Sequence, residues 1–288
     1  MFDWLKKKMT DPNATMAEAL AKTELQSFPA VVREAMVALR NPKLNANGVA
    51  AILAKDPGFS VRLLRLANSA AYTVRHPVRT VTHAVALLGR REVESLLLAA
   101  TVPNLLPKSE HFNRQEFWRT AAFRATTARA LAQRYYPNIA EESFTSALLQ
   151  DMAIPLLAAT QPETYAPLLV QAQQTEVPLL ELERERLGYD HTQIGGCLCA
   201  LWSLPDGIAR SISSHHDEPH HDGTDAGDLS APLPIYFVAS LDHGVSPDPT
   251  PIIDRAEHTL EVGRDEVRQL VEEAFHLAES LSSTLSSG

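Results

Sequence analysis

Two cysteines, Cys197 and Cys199, are all that the 288 residues contain. Two positions apart in a helical pattern, they face different sides of one helix and cannot close a bridge. A disulfide-held fold is excluded, and the pair reads as small hydrophobes in a reducing, cytoplasmic setting. No apolar run approaches the roughly 20 residues needed to cross a bilayer, so stable membrane insertion is not expected. The opening Met1-Phe2-Asp3-Trp4, followed by Lys6-Lys7-Lys8, lacks the apolar core of a secretory signal. One basic turn beside Trp4 is also a poor surface anchor. Period-two alternation is missing as well, which leaves helical periodicity as the dominant pattern and an all-α fold as the expectation.

Acidic residues are scarce in the first half. Residues 1–140 hold 20 Lys+Arg against 10 Asp+Glu, a net of +10, and residues 141–288 hold 6 against 25, a net of −19. The overall charge of −9 hides that split. Two lobes with opposite fields are implied, which attract each other or offer a basic surface to an acidic ligand. The acidic half argues against the whole chain lying along nucleic acid.

Helix signals follow one another along the chain. Thr15-Met16-Ala17-Glu18 is a capping-box pattern for a first helix. Pro29 opens a segment with Val32, Ala35, Met36 and Leu39 on one face, ended by Asn41-Pro42. A short helix is expected around Val49, Ile52 and Leu53. Asp56-Pro57 pairs an N-cap with a proline at the first helical position, and Thr80 caps a helix that stops at Gly89. Arg90 to Ala100 reads as one more. A lobe boundary is placed in the proline-containing stretch 101–112. Asn113 then caps a long helix to about Tyr136, with Trp118, Ala121, Ala125, Ala128 and Ala132 forming a small-residue stripe for close helix approach. Further helices are expected near 142–153, 162–175, 178–187, 190–202 and 205–215, with Asp190 and Gln193 as a cap pair. Residues 217–231 have almost nothing to bury and read as a mobile loop. A helix from Pro234 to about Asp242, one or two helices over 252–280 and a disordered tail from Ser282 complete the expectation.

Two stretches carry a resemblance. The first contains Asp56-Pro57, Arg62-Leu63-Leu64-Arg65-Leu66-Ala67-Asn68-Ser69, Tyr72 and Ala84-Val85-Ala86-Leu87-Leu88-Gly89. The second contains Ala147-Leu148-Leu149-Gln150-Asp151-Met152, Glu183 to His191, Gly195, Trp202-Ser203-Leu204-Pro205 and His215-His216. Together they resemble the HDOD family of bacterial signalling proteins, which are relatives of the HD phosphohydrolases. The resemblance implies a multi-helix HD-like bundle with an N-terminal helical lobe. The lobe is set at 1–106 and the HD-like part at 107–288, within one module spanning about 15–245.

In the HD phosphohydrolases a histidine, a His-Asp pair and a later aspartate hold a metal that lowers the pKa of bound water. Placed on this chain, those positions read Thr120, Gln150-Asp151 and either Ser240 or Asp242. Only Asp151 is firmly kept, and Thr and Gln are poor stand-ins for imidazole. No catalytic residue, no bound metal and no cofactor are therefore expected. His191, His215 and His216 are retained, and in active relatives equivalent histidines help bind a second metal or phosphate. The favoured function is a non-enzymatic signal-transduction module acting on other signalling proteins. The alternatives are a metal-dependent phosphohydrolase or phosphodiesterase using Asp151, His191, His215, His216 and Asp242, and a sensor of a cyclic dinucleotide or other phosphorylated ligand. The sensor reading rests on Arg62, Arg65, Arg75, Arg79, Arg90 and Arg91, six arginines in a stretch without an acidic residue. Arginine's planar fork suits phosphate or carboxylate.

Overall fold

The computed structural model describes residues 26–72, 76–109, 112–175, 177–218, 232–241 and 248–286. Every regular element among them is helical. The N-terminal lobe is built from α1 (Ala30–Arg40), α2 (Ala46–Leu53), α3 (Pro57–Ala67), α4 (Val81–Leu88) and α5 (Arg90–Leu105). The core bundle follows with α6 (Arg114–Tyr135), α7 (Ala140–Leu149), α8 (Ala153–Thr160), α9 (Pro162–Gln174), α10 (Leu179–Leu187), α11 (His191–Leu201) and α12 (Asp206–Ser213). It closes with α13 (Leu233–Val238), α14 (Thr250–Leu260) and α15 (Arg264–Ser286). The expected Thr15 helix, most of the 217–231 loop and Asp242 fall outside the described residues.

The caps explain most helix starts. The side chains of Asn45, Asp56, Thr80 and Asn113 each accept a backbone N–H two to three residues into the following helix. Asp190 and Gln193 form a reciprocal capping box at the start of α11. Gly89 ends α4 at φ +90, a left-handed backbone open to glycine at little cost.

Helix α6 is the spine. It packs most extensively against α15 on one side and α7 on the other. Its small residues Ala121, Ala125, Ala128 and Ala132 are all buried, and on another side Phe123 and Thr126 meet α15, where the Thr126 hydroxyl donates to the Ala274 carbonyl at 2.9 Å. Helices α11 and α12 pack on each other, α11 against α8 and α12 against α7. The buried apolar side chains form one continuous cluster from Phe28 to Leu285.

Four expectations need correction. Helix α5 does not stop at Ala100 but runs to Leu105 through Pro103, because Val102, Pro103 and Leu105 bury their side chains there. The helix expected over 142–153 ends at Leu149, and a separate helix α8 follows the turn at 150–152. Burial along α8 is nearly all-round, so it has no polar face to betray its period. Helix α13 ends at Val238, leaving Ser240 in a turn. The tail is helical to Ser286, since Leu281 and Leu285 sit one turn apart on its buried side.

Arg129, partly buried, and Glu92, buried, join α6 to α5. Arg129 of α6 donates to Glu92 of α5 at 2.5 Å, stands 3.1 Å from Glu141 and lies 4.5 Å over the Tyr72 ring. Burial, then the hydrogen bond shared with Glu141, pushes the Glu92 carboxyl far above its usual range. Among the described residues no helix is long and apolar enough to cross a membrane.

Candidate functional site

The bend between α7 and α8 carries Gln150 and Asp151. The turn after α12 carries His215 and His216, and the first residue of α11 is His191. Packing of α11 on α8 and of α12 on α7 brings these three chain segments to one point. The donor atoms of Asp151, His191, His215 and His216 all lie within 4.8 Å of one another.

Two of the three imidazoles, His191 and His215, are oriented from behind. Glu183, fully buried on α10, takes the Nδ1–H of His191 at 2.6 Å and its backbone N–H at 2.9 Å. The Tyr165 hydroxyl donates to the other oxygen of Glu183. His215 directs its Nδ1 at the Ile212 carbonyl, 2.7 Å away. Tying down Nδ1 fixes the tautomer and leaves Nε2 of both rings facing inward. His191 Nε2 then stands 3.4 Å from His215 Nε2 and 3.2 Å from His216 Nε2. The Asp151 Oδ1 atom lies 3.1 Å from His215 Nε2 and 3.4 Å from His191 Nε2.

Charge is finely divided in this centre. Burial alone would depress His191, but Glu183 first, then Asp151 and Asp190, push it up to about 9. An imidazolium proton and a metal ion would compete for the same Nε2. His216 is exposed at the outer edge of the cluster, where packing of its ring against the centre, then His215 and His191, lowers its proton affinity. Asp190 is kept low despite its burial by bonds from Thr192, Gln193 and Arg184.

Arg124 was not singled out in the sequence, yet it is the decisive neighbour. Buried on α6 one turn beyond Thr120, it donates one guanidinium nitrogen to Asp151 Oδ2 and another to the Leu241 carbonyl. Leu241 lies between Ser240 and Asp242, the two places proposed for the last aspartate. Ser240 itself donates to the Phe237 carbonyl at 2.6 Å. Thr120 and Gln150 are buried, and neither the Thr120 hydroxyl nor either end of the Gln150 amide has a hydrogen-bond partner.

A metal is implied by the HD relationship, so the donors must be tested for fit. Around one four-coordinate ion with bonds of about 2.0–2.1 Å, donor atoms stand about 3.3–3.4 Å apart. Four of the six separations run from 3.1 to 3.4 Å, and the other two, both to His216 at the rim, lie within 4.8 Å, so His216 would have to draw inward to complete the set. Three imidazole nitrogens and one carboxylate oxygen suit a transition ion, and the donors behind His191 and His215 are the usual supports of such ligands. The residues fit one such ion. Of the positions expected from the resemblance, Thr120, Gln150, Asp151 and Ser240, only Asp151 offers a strong ligand.

The arginine stretch lies on the N-terminal lobe and does a mixture of jobs. Arg90 donates to the carbonyls of Leu39 and Asn41, both at 2.9 Å, and of Leu44, closing the C-terminal end of α1 onto α5. Arg91 reaches the Asn138 carbonyl at 3.4 Å. Arg62 is half-buried with its guanidinium 5.6 Å from the Phe59 ring centre. Arg65 and Arg79 are exposed, and Arg65 lines an open groove of about 580 Å³ with Asn68, Ser69, Ser280 and Ser283. Arg75 lies outside the described residues.

Residues 25–218 match the family model described as HDOD domain. The chain belongs to the HDOD family. An HDOD domain protein of unknown function from Geobacter sulfurreducens aligns at TM-score 0.70 and 18% identity, over 95% of this chain and 98% of that one. A provisionally assigned phosphohydrolase from Shewanella amazonensis SB2B aligns at TM-score 0.66 and 23% identity, over 96% and 94%. A provisionally assigned signal transduction protein from Marinobacter aquaeolei VT8 aligns at 0.65 and 17%, over 91% and 60%. At these identities the likeness concerns the fold. An uncharacterized protein of Treponema pallidum (strain Nichols) is 23% identical over 201 residues, 68% of this chain and 38% of the relative. The HDOD chain thus spans well under half the length of that curated relative.

Proposed function

We propose that this HDOD chain is a non-catalytic signal-transduction module that works by docking to other proteins, with its histidine-rich centre serving structure or sensing and not turnover. The observation that carries the reading is the grip of Arg124 on Asp151. The carboxylate that would anchor hydrolytic chemistry is already neutralised on one side by a fixed cation. The neighbouring positions offer a hydroxyl and an amide in place of imidazoles.

A transition ion held by His191, His215, His216 and Asp151 would supply a Lewis acid and a more acidic bound water. The chain's own contribution is to orient those donors through Glu183 and Ile212. The same centre supports the second reading, a metal-dependent phosphohydrolase. The experiment that decides is an assay of bis-p-nitrophenyl phosphate and cyclic dinucleotides with added Mn²⁺, run beside Asp151→Ala. No turnover above the Asp151→Ala background is the expected result. Turnover that disappears in that variant would replace the regulatory reading with the enzymatic one. Partners are read from a pull-down out of bacterial cytoplasm, in which signalling proteins are the expected class. A phosphorylated ligand, should one bind, is expected on the lobe that carries Arg62, Arg65 and Arg79.

A further inference from the structure

We infer that Arg124 is a built-in cation that takes the place of a second metal ion, so that the centre accepts a single transition ion. The inference rests on the reading of the centre as metal-binding and adds what limits and tunes it. Asp151 has two oxygens with different tasks. Oδ1 faces the Nε2 atoms of His215 and His191 at 3.1 and 3.4 Å, while Oδ2 is taken by the Arg124 guanidinium. The other end of that guanidinium holds the Leu241 carbonyl. One planar cation therefore spans the carboxylate and the main chain of the segment from which a last ligand would have come.

The electrostatic consequence has a definite sign. A divalent ion on the Oδ1 side would sit within a few ångströms of a permanent positive charge in a buried, weakly screened place. The guanidinium lowers the affinity for the first ion and bars a second from Oδ2. The unpartnered Thr120 hydroxyl and Gln150 amide add no anionic ligand. The arrangement trades a dinuclear site for a mononuclear one whose affinity is damped by a neighbouring cation.

The test uses the full chain loaded with Co²⁺ and freed of excess. Metal per chain is measured by mass spectrometry, coordination by the visible absorption of Co²⁺, and affinity by competition with a chelator. Wild type is expected to hold one Co²⁺ with the intense visible bands of a four-coordinate ion. Arg124→Gln is expected to bind it at least tenfold more tightly, and Arg124→Lys, which keeps the charge, to stay within about threefold of wild type. Circular dichroism and thermal melting monitor folding of both variants. Should Arg124→Gln fail to fold, the wild-type stoichiometry and Arg124→Lys still decide. Two ions in wild type, or one ion with unchanged affinity in a folded Arg124→Gln, overturns the role given to Arg124. No uptake by wild type, at any chelator concentration, overturns the metal-binding reading beneath it.

Discussion

Glu183 holds His191 twice, through the backbone N–H and through the ring Nδ1–H, with a single carboxylate oxygen. Its second oxygen takes the Tyr165 hydroxyl. A fully buried carboxylate with three donors is a support that cannot be removed cheaply. Glu183→Ala strands the Tyr165 hydroxyl and the His191 N–H, and is expected to cost about 3 kcal/mol in urea unfolding. Glu183→Gln keeps the shape but weakens the hold on Nδ1. It should lower Co²⁺ affinity by about 10–100-fold in chelator competition. Unchanged affinity would mean that the His191 orientation is set by packing alone.

Gly195 fixes the distance between α11 and α12. A Cβ built there would stand 2.8 Å from Ile212 Cγ2 and 3.8 Å from the Gln150 carbonyl. Gly195→Ala should therefore push α12, and with it His215 and His216, away from His191. Over-packing of this kind costs about 1–3 kcal/mol. The expected readout is a lower thermal midpoint together with loss of the Co²⁺ spectrum. Restoration by Ile212→Leu, which keeps the volume but carries no Cγ2 methyl on Cβ, would assign the effect to that contact.

Glu92 gives the pH dependence. Its carboxyl is pushed by burial, and by the bond shared with Glu141, from an ordinary 4.5 to about 9, while Arg129 pulls the other way. The folded form thus binds a proton that the unfolded form releases above 4.5. Stability from this group is complete below that value and is lost as pH rises towards 9. Tyr72, Glu141 and Arg129 are the charged or titratable groups that face it. Glu92→Gln should flatten the fall in urea midpoint between pH 6 and 9, gaining on the order of 1 kcal/mol over wild type at the alkaline end. An equally steep fall in the variant would move the titration to another group.

The arginines of the N-terminal lobe should separate into two classes. Arg90→Ala leaves several partly buried carbonyls at the end of α1 without their donor. It should cost about 1–3 kcal/mol with metal uptake unchanged. The double change Arg62→Ala, Arg65→Ala should leave helical content intact and weaken binding of an anionic ligand or acidic partner. Equal affinity in the double variant would remove the anion-binding reading of that face.

Much of the fold is legible in the sequence, because local chemistry and tertiary structure agree at the caps. Asp56, Thr80, Asn113 and Asp190 are readable one by one, and each begins the helix it announces. Legibility fails where burial overrides local signals. Pro103 looks like a stop and sits inside a helix whose last turn is buried, while the uniformly apolar α8 offers no periodic contrast. In the centre, Asp151, His191, His215 and His216 are visible from the family pattern. Arg124 is not, because an arginine among alanines on a long helix looks like solvent-facing charge until its neighbours are known. Glu183 stands at the start of the motif run Glu183 to His191, but its hold on His191 is hidden inside the run Glu181-Leu182-Glu183-Arg184-Glu185-Arg186. Its spacing of eight residues from His191 crosses a helix end and a glycine turn, and no periodicity reports it.

The closeness of α15 to α6 has a practical side. The stretch matching the family ends at residue 218, yet α15 comes after it and lays Val267, Val271, Ala274, Ala278 and Leu281 into the interior. Clipping the gene at the edge of the recognised domain would peel a wall from the bundle and leave the Phe123 and Thr126 side of α6 wet. Such a shortened product should clump or be digested, and anyone expressing this domain should carry the closing helix along.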